Sequence, residues 1–148
     1  MAMSVDELRS RYAGTVFDSV EVEAPGEQML GFSTACGETE PRYIDPDHAD
    51  FQAPVNFATK YHGARMLPDD FPEFERGRMI DAGKAVAWHA PIRAGDTLTA
   101  QSQLHDIYEK TGRSGVMLFL VHRMEFSNAR GELVAVVDWR LILRGGLT

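Results

Sequence analysis

From residue 78 onward the chain alternates polar and apolar residues with period two, and this constrains its fold more than any other feature. Successive side chains point to opposite faces only along an extended strand. The alternation predicts four strands, at residues 78–90, 96–109, 114–127 and 133–144. The last is especially clear: Leu133, Ala135, Val137, Trp139, Leu141 and Leu143 share one face, opposite Val134, Val136, Asp138, Arg140 and Ile142. Residues 91–95, 110–113 and 128–131 separate the strands, each with a residue suited to a tight bend.

The first half reads differently. Residues 4–11 suit a short outer helix, with Ser4 as N-cap and Glu7 three positions later closing a capping box. Residues 20–24 alternate apolar and acidic side chains like a half-exposed strand, which Pro25-Gly26 stops. A second short helix is expected over 27–35, then an irregular ligand-lining or surface loop over 37–52. Pro54 suits the first turn of a helix, and Val55, Phe57, Ala58, Tyr61 and Met66 would bury it, so the central helix is expected over 54–66. Residues 68–72 break the chain before the strands. One buried helix followed by four long antiparallel strands, with an earlier strand joining the sheet, predicts an α+β hot-dog fold with a curved sheet wrapped around the helix. Residues 1–148 form a single domain on this reading, without internal repeats or linkers.

The composition narrows the function. With 44% hydrophobic and 25% charged residues the chain has the make-up of a soluble globular domain, and its longest apolar run, 116–121, is far short of the roughly 20 residues that span a membrane. Without an apolar signal core at the N-terminus, a cytoplasmic location is expected. The single cysteine, Cys36, cannot form an intrachain disulfide, and no Cys/His spacing suggests a metal site. A net charge of -7 argues against a nucleic-acid partner, while leaving room for local basic groups that hold one anionic ligand.

The stretch Gly37-Glu-Thr-Glu-Pro-Arg-Tyr43 has the spacing of an acid/base pair. Its acid is Glu38 and its ring is Tyr43, a phenol that donates a hydrogen bond but is a poor base near neutral pH. Together with Ala53-Pro-Val-Asn-Phe57, with His89 to Leu98 and with Gly131-Glu-Leu-Val-Ala135, this stretch resembles the N-terminal-type domain of MaoC-like dehydratases, hot-dog proteins related to the R-specific enoyl-CoA hydratases. The likeness runs from about Val16 to Arg144.

Catalytic members of that family carry Gly-Asp-x-Asn-Pro, an aliphatic residue and His, and their Asp and His activate water for addition to an acyl-CoA double bond. Here Gly37 and Pro41 match, whereas Glu38 replaces the Asp, Glu40 the Asn and Tyr43 the His. Without the imidazole, the pair lacks one partner of the two-sided proton transfer. The resemblance therefore implies a non-catalytic subunit that binds an acyl thioester, with Glu38 and Tyr43 as degenerate catalytic positions. A catalytic MaoC-like hot-dog chain would complete a hetero-dimer. No separate cofactor is implied, coenzyme A or a carrier protein arriving as part of the substrate.

Other readings follow from the same residues. Glu38 could sustain an active hydratase, the fold could serve an acyl-CoA thioesterase, or a homodimer could bind acyl groups without chemistry. The absence of Asp and Glu from 55–66 counts against the thioesterase. Val55 and Asn56, opening the expected helix, would offer backbone N–H groups to a thioester carbonyl. Arg93, and less specifically Lys84 or Arg113, would meet coenzyme A phosphates. His48 reads as a surface histidine beside Asp45, Asp47 and Asp50, His62 as a structural residue of the expected helix, and Trp88 and Trp139 as packing.

Overall fold

A computed structural model describes residues 2–147. Five antiparallel strands make one sheet in the order β1-β3-β4-β5-β2. They span Val16–Ala24 (β1), Met79–Trp88 (β2), Asp96–Gly112 (β3), Gly115–Ser127 (β4) and Leu133–Arg144 (β5). Among the described residues three α-helices precede β2: α1 over Val5–Tyr12, α2 over Gly26–Ala35 and the single turn α3 over Pro41–Ile44. This is the α+β hot-dog arrangement that the sequence predicts, one helix lying on the inner face of an antiparallel sheet.

The alternation translates directly into burial. Leu98, Ala100, Leu104 and Ile107 of β3 point inward with Leu118, Leu120, Met124 and Phe126 of β4 and Val137, Leu141 and Leu143 of β5. A bulge between Leu104 and Asp106 keeps Ile107 facing inward as the long β3 changes register on β4. Gly131, with φ 78°, supplies the left-handed residue that the β4–β5 turn requires. At the other end of the chain, Ser4 and Glu7 make both bonds of the capping box: the Glu7 N–H donates to Ser4 Oγ at 3.2 Å and the Ser4 N–H to Glu7 Oε2 at 2.7 Å.

One element differs from the sequence reading. The central helix is α2, not residues 54–66, where only a four-residue 3-10 turn forms, Phe57–Lys60, before the chain runs irregularly to 75. Met29 of α2 is fully buried, and Leu30 and Phe32 pack on the same cluster. The apolar content of 54–66 is real, since Phe57, Ala58 and Tyr61 are buried, but individual contacts seat them rather than one helical face. Phe57 meets Phe32 edge-on at 5.4 Å, and the Tyr61 hydroxyl donates to the Glu23 carbonyl at 2.5 Å. Burial pushes that phenol up to about 12. The shorter turn lets residues 61–76 leave α2 and cross the sheet as a separate strap.

Within α2, Gly31 is exposed, and a methyl group there meets nothing within 4 Å. Gly31→Ala is expected to raise stability by about 0.5–1 kcal/mol through a stiffer unfolded chain and better helix propensity, read as a higher urea midpoint.

Candidate functional site

The inner face carries two hydrophobic clusters. One lies under α2 and includes Met29, Phe57, Leu98, Met124 and Phe126; the other includes Leu8, Phe71, Leu104, Leu120 and Leu143. Between the strap 61–76 and the sheet runs a groove of about 810 Å³, within the usual range of small-ligand sites. Met66, Leu67, Phe71 and Phe74 wall it from the strap, and Met124, Val137 and Trp139 from the sheet.

A belt of polar and amphipathic residues crosses the sheet here, one from each strand. Asp18 of β1 stands opposite Ser102 of β3, and Trp139 of β5 stands opposite both His122 of β4 and Lys84 of β2. Most of the belt has internal partners. The Arg65 N–H donates to Asp18 Oδ2 at 3.2 Å, with the Arg65 guanidinium 3.7 Å from the same carboxylate. Lys84 Nζ donates to the Thr59 carbonyl at 2.8 Å and to the Tyr61 carbonyl at 3.4 Å, and lies 5.2 Å from the centre of the Trp139 ring. Burial holds the Lys84 ammonium below its ordinary range. Trp139 Nε1 donates to Asp81 Oδ1 at 2.9 Å, and the Gly83 N–H, followed by this indole bond, holds the Asp81 carboxyl low.

His122 is different. It is 2% exposed and lies between the rings of Phe17, at 5.6 Å, and Trp139, at 5.9 Å. Among the described residues neither of its ring nitrogens has a hydrogen-bond partner, and nor does the buried Ser102 Oγ. Burial, reinforced by the Lys84 ammonium, pushes the imidazole down to about 4, against the weaker pull of the Asp18 carboxylate. His122 is therefore neutral near pH 7, with one N–H donor and one acceptor nitrogen. A buried polar atom without a partner costs roughly 1–3 kcal/mol, so this cluster is expensive unless something occupies the groove.

Of the residues singled out in the sequence, Lys84, His62 and Trp139 line this groove, whereas Glu38, Tyr43, Val55, Asn56 and Arg93 do not. Glu38 is half-buried just beyond α2, where its N–H donates to the Ser33 carbonyl at 3.0 Å. Tyr43 is buried on α3 with the Arg42 guanidinium 4.8 Å from its ring centre. Val55 is 49% exposed, and Asn56 reaches toward Cys36 Sγ at 3.8 Å. These two precede a 3-10 turn rather than opening a central helix, which alters the geometry expected of their N–H groups. Arg93 Nη1 pairs with Asp50 at 2.8 Å and donates to the Phe51 carbonyl at 3.2 Å, bracing the loop beside the β2–β3 connection. Lys84 turns inward to the strap instead of outward toward phosphate. His48 accepts the Asp50 N–H in an exposed turn. His62 lies at the groove edge, 5.9 Å from the Trp139 ring, rather than within a helix.

His122 of the groove and its buried neighbour Ser102 carry a signal in the sequence. His122 has the parity of Leu118, Leu120, Met124 and Phe126, and Ser102 that of Leu98, Ala100 and Leu104, so each is a polar side chain at a core-facing strand position.

Residues 11–137 match the model of the family described as FAS1-like, dehydratase domain region. The chain belongs to that family. A relative named UPF0336 protein, from Parafrankia sp. (strain EAN1pec), is 30% identical over 148 residues, covering 93% of this chain and 95% of the relative. Among solved structures, the C-terminally truncated HadBC (3R-hydroxyacyl-ACP dehydratase) complex from Mycobacterium tuberculosis aligns with TM-score 0.61 and 19% identity over 89% of this chain and 98% of that one. A MaoC-like dehydratase from Phytophthora capsici aligns with TM-score 0.69 and 17% identity over 99% of this chain but 52% of the larger protein. The chain thus shares the hot-dog fold of these solved dehydratases. No helix among the described residues is long and apolar enough to cross a membrane.

Proposed function

We propose that this chain is the acyl-holding, non-catalytic half of a heteromeric enoyl thioester hydratase, or 3-hydroxyacyl thioester dehydratase, working in the cytoplasm. The observation that carries the reading is a groove of about 810 Å³ in a dehydratase-family chain whose Glu38 and Tyr43 replace the acid and imidazole of the active motif. Such a chain holds the acyl group, and a catalytic hot-dog partner supplies the Asp and His that hydrate the double bond. Coenzyme A or a carrier protein enters as part of the substrate, and no separate cofactor takes part. Backbone N–H groups at Val55 and Asn56 and the guanidinium of Arg93 remain candidates for contact with the thioester end.

The sheet edges support a paired assembly. β1 ends the sheet on one side and carries Glu21 and Glu23 on its exposed positions, a charged edge that discourages pairing. At the other end β2 pairs only with β5 among the described strands and exposes Ile80 and Trp88. A partner strand laid along β2 would continue the sheet and cover both side chains. The HadBC complex, a solved structure of the same fold, is heteromeric, in line with this arrangement.

The test is hydration of crotonyl-CoA and a longer enoyl-CoA, followed by loss of enoyl absorbance, with the chain alone and co-expressed with a catalytic MaoC-like chain. Turnover at least about a hundredfold greater in the mixture is expected, with no thiol released in either case. Glu38→Gln should leave the mixed activity within about twofold. A hundredfold loss on that substitution, or full turnover by the pure chain, overturns the proposal.

A further inference from the structure

The groove is walled by apolar side chains such as Met66, Leu67, Phe71 and Phe74 together with charged ones such as Arg65, Asp69, Glu73 and Arg76, and the unpartnered imidazole of His122 lies on its floor. His122 and Ser102 stand close on the inner face: Ser102 pairs with Met124, the next inward residue along β4 from His122. The other polar members of the belt are satisfied. Asp18 is held by Arg65, and Lys84 by the carbonyls of Thr59 and Tyr61. The neutral imidazole offers a donor on one nitrogen and an acceptor on the other, and the hydroxyl can do either. A plain hydrocarbon chain lying over this floor leaves both ring nitrogens of His122 unpaired. A chain bearing a hydroxyl or ketone at this depth pairs at least one of them.

Glu38 and Tyr43, the positions matching the reacting end in the family motif, do not line the groove. The groove therefore receives a part of the acyl chain remote from the thioester, and an oxygen met there is not one being added or removed by the reaction.

Building on the proposed acyl-holding role, we infer that His122 is a specificity site for an oxygen substituent along the acyl chain, so that the groove favours hydroxylated or keto-acyl thioesters over unsubstituted ones. A hydroxyl is the better match, since it can accept from the imidazole N–H or donate to its bare nitrogen. A ketone only accepts.

The probes are octadecanoyl-CoA and isomers of hydroxyoctadecanoyl-CoA and oxo-octadecanoyl-CoA substituted at successive mid-chain positions. Binding to the purified full-length chain is measured by titration calorimetry and by quenching of tryptophan fluorescence, Trp139 being a wall of the groove. The best-placed oxygenated isomer should bind at least about tenfold more tightly than octadecanoyl-CoA. His122→Leu should reduce that preference to within about twofold, whereas His122→Gln, which keeps a donor and an acceptor, should retain most of it. Should His122→Leu fail to fold by circular dichroism, His122→Met serves in its place. Equal affinities for all probes in the unaltered chain, or an undiminished preference without the imidazole, overturns the inference while the acyl-holding role stands. If no acyl-CoA binds, the acyl-holding role fails and the inference falls with it.

Discussion

Acidification from about pH 7 to below pH 4 will remove about 3 kcal/mol of stability through His122 alone, and His122→Leu will abolish that part of the loss. Burial, aided by the Lys84 ammonium and by His62, moves the folded imidazole from 6.5 to about 4, while the Asp18 carboxylate only partly opposes the shift. A group whose folded pKa lies below its unfolded one binds more protons in the unfolded chain throughout the interval between them. Stability therefore rises with pH across that interval and falls as acid is added, beginning near pH 6.5 and ending near pH 4. At about 1.4 kcal/mol for each pKa unit, the difference corresponds to about 3 kcal/mol. Urea midpoints measured at several pH values provide the check. The substituted chain should show a flatter profile from about pH 6.5 to pH 4, and a slope equal to that of the unaltered chain would refute this account of the imidazole.

Gly63→Ala is expected to cost about 2 kcal/mol and to loosen the strap, although Gly63 has an ordinary negative-φ backbone. A Cβ at this position would run into Asp18 Oδ2 and lie 3.4 Å from Ser102 Oγ and 3.5 Å from the Arg65 carbonyl. Asp18 cannot easily withdraw: its side chain is only 3% exposed, accepts from the Arg65 N–H and faces the Arg65 guanidinium. The added methyl must lift the strap or drive a buried carboxylate from its donor. A lower thermal midpoint, with faster amide exchange confined to residues 61–76 and the neighbouring stretch of β1, would bear this out. An unchanged midpoint would mean that the strap is not held down at Asp18.

These two effects involve residues whose association was not legible in the sequence, and the reason is topological. Alternation predicted β4 and β5 well because each buries a single face, so periodicity alone reports the burial. The first four residues of β1 went unread, since a bulge between Val16 and Asp18 interrupts the alternation there. Around 54–66 the error was one of kind. Val55, Phe57, Ala58, Tyr61 and Met66 promised enough apolar surface for a helix, but Gly63 seals a close approach to Asp18 and Tyr61 reaches back to β1, contacts that local spacing does not reveal. Glu38 and Tyr43 stand out in the sequence because they fall within one short stretch. The groove floor and the polar belt beside it were not legible because Asp18, Ser102, His122, Trp139 and Lys84 come from five different strands and meet only once the sheet has formed.

The asymmetry of the two sheet margins has a consequence for how such a polypeptide must be made. Acid-studded β1 repels newcomers, whereas Ile80 and Trp88 flank a β2 margin that invites them. Copies made at high concentration will associate with one another through that sticky rim wherever nothing covers it, so the level of synthesis bears on clumping as surely as any charge on the surface.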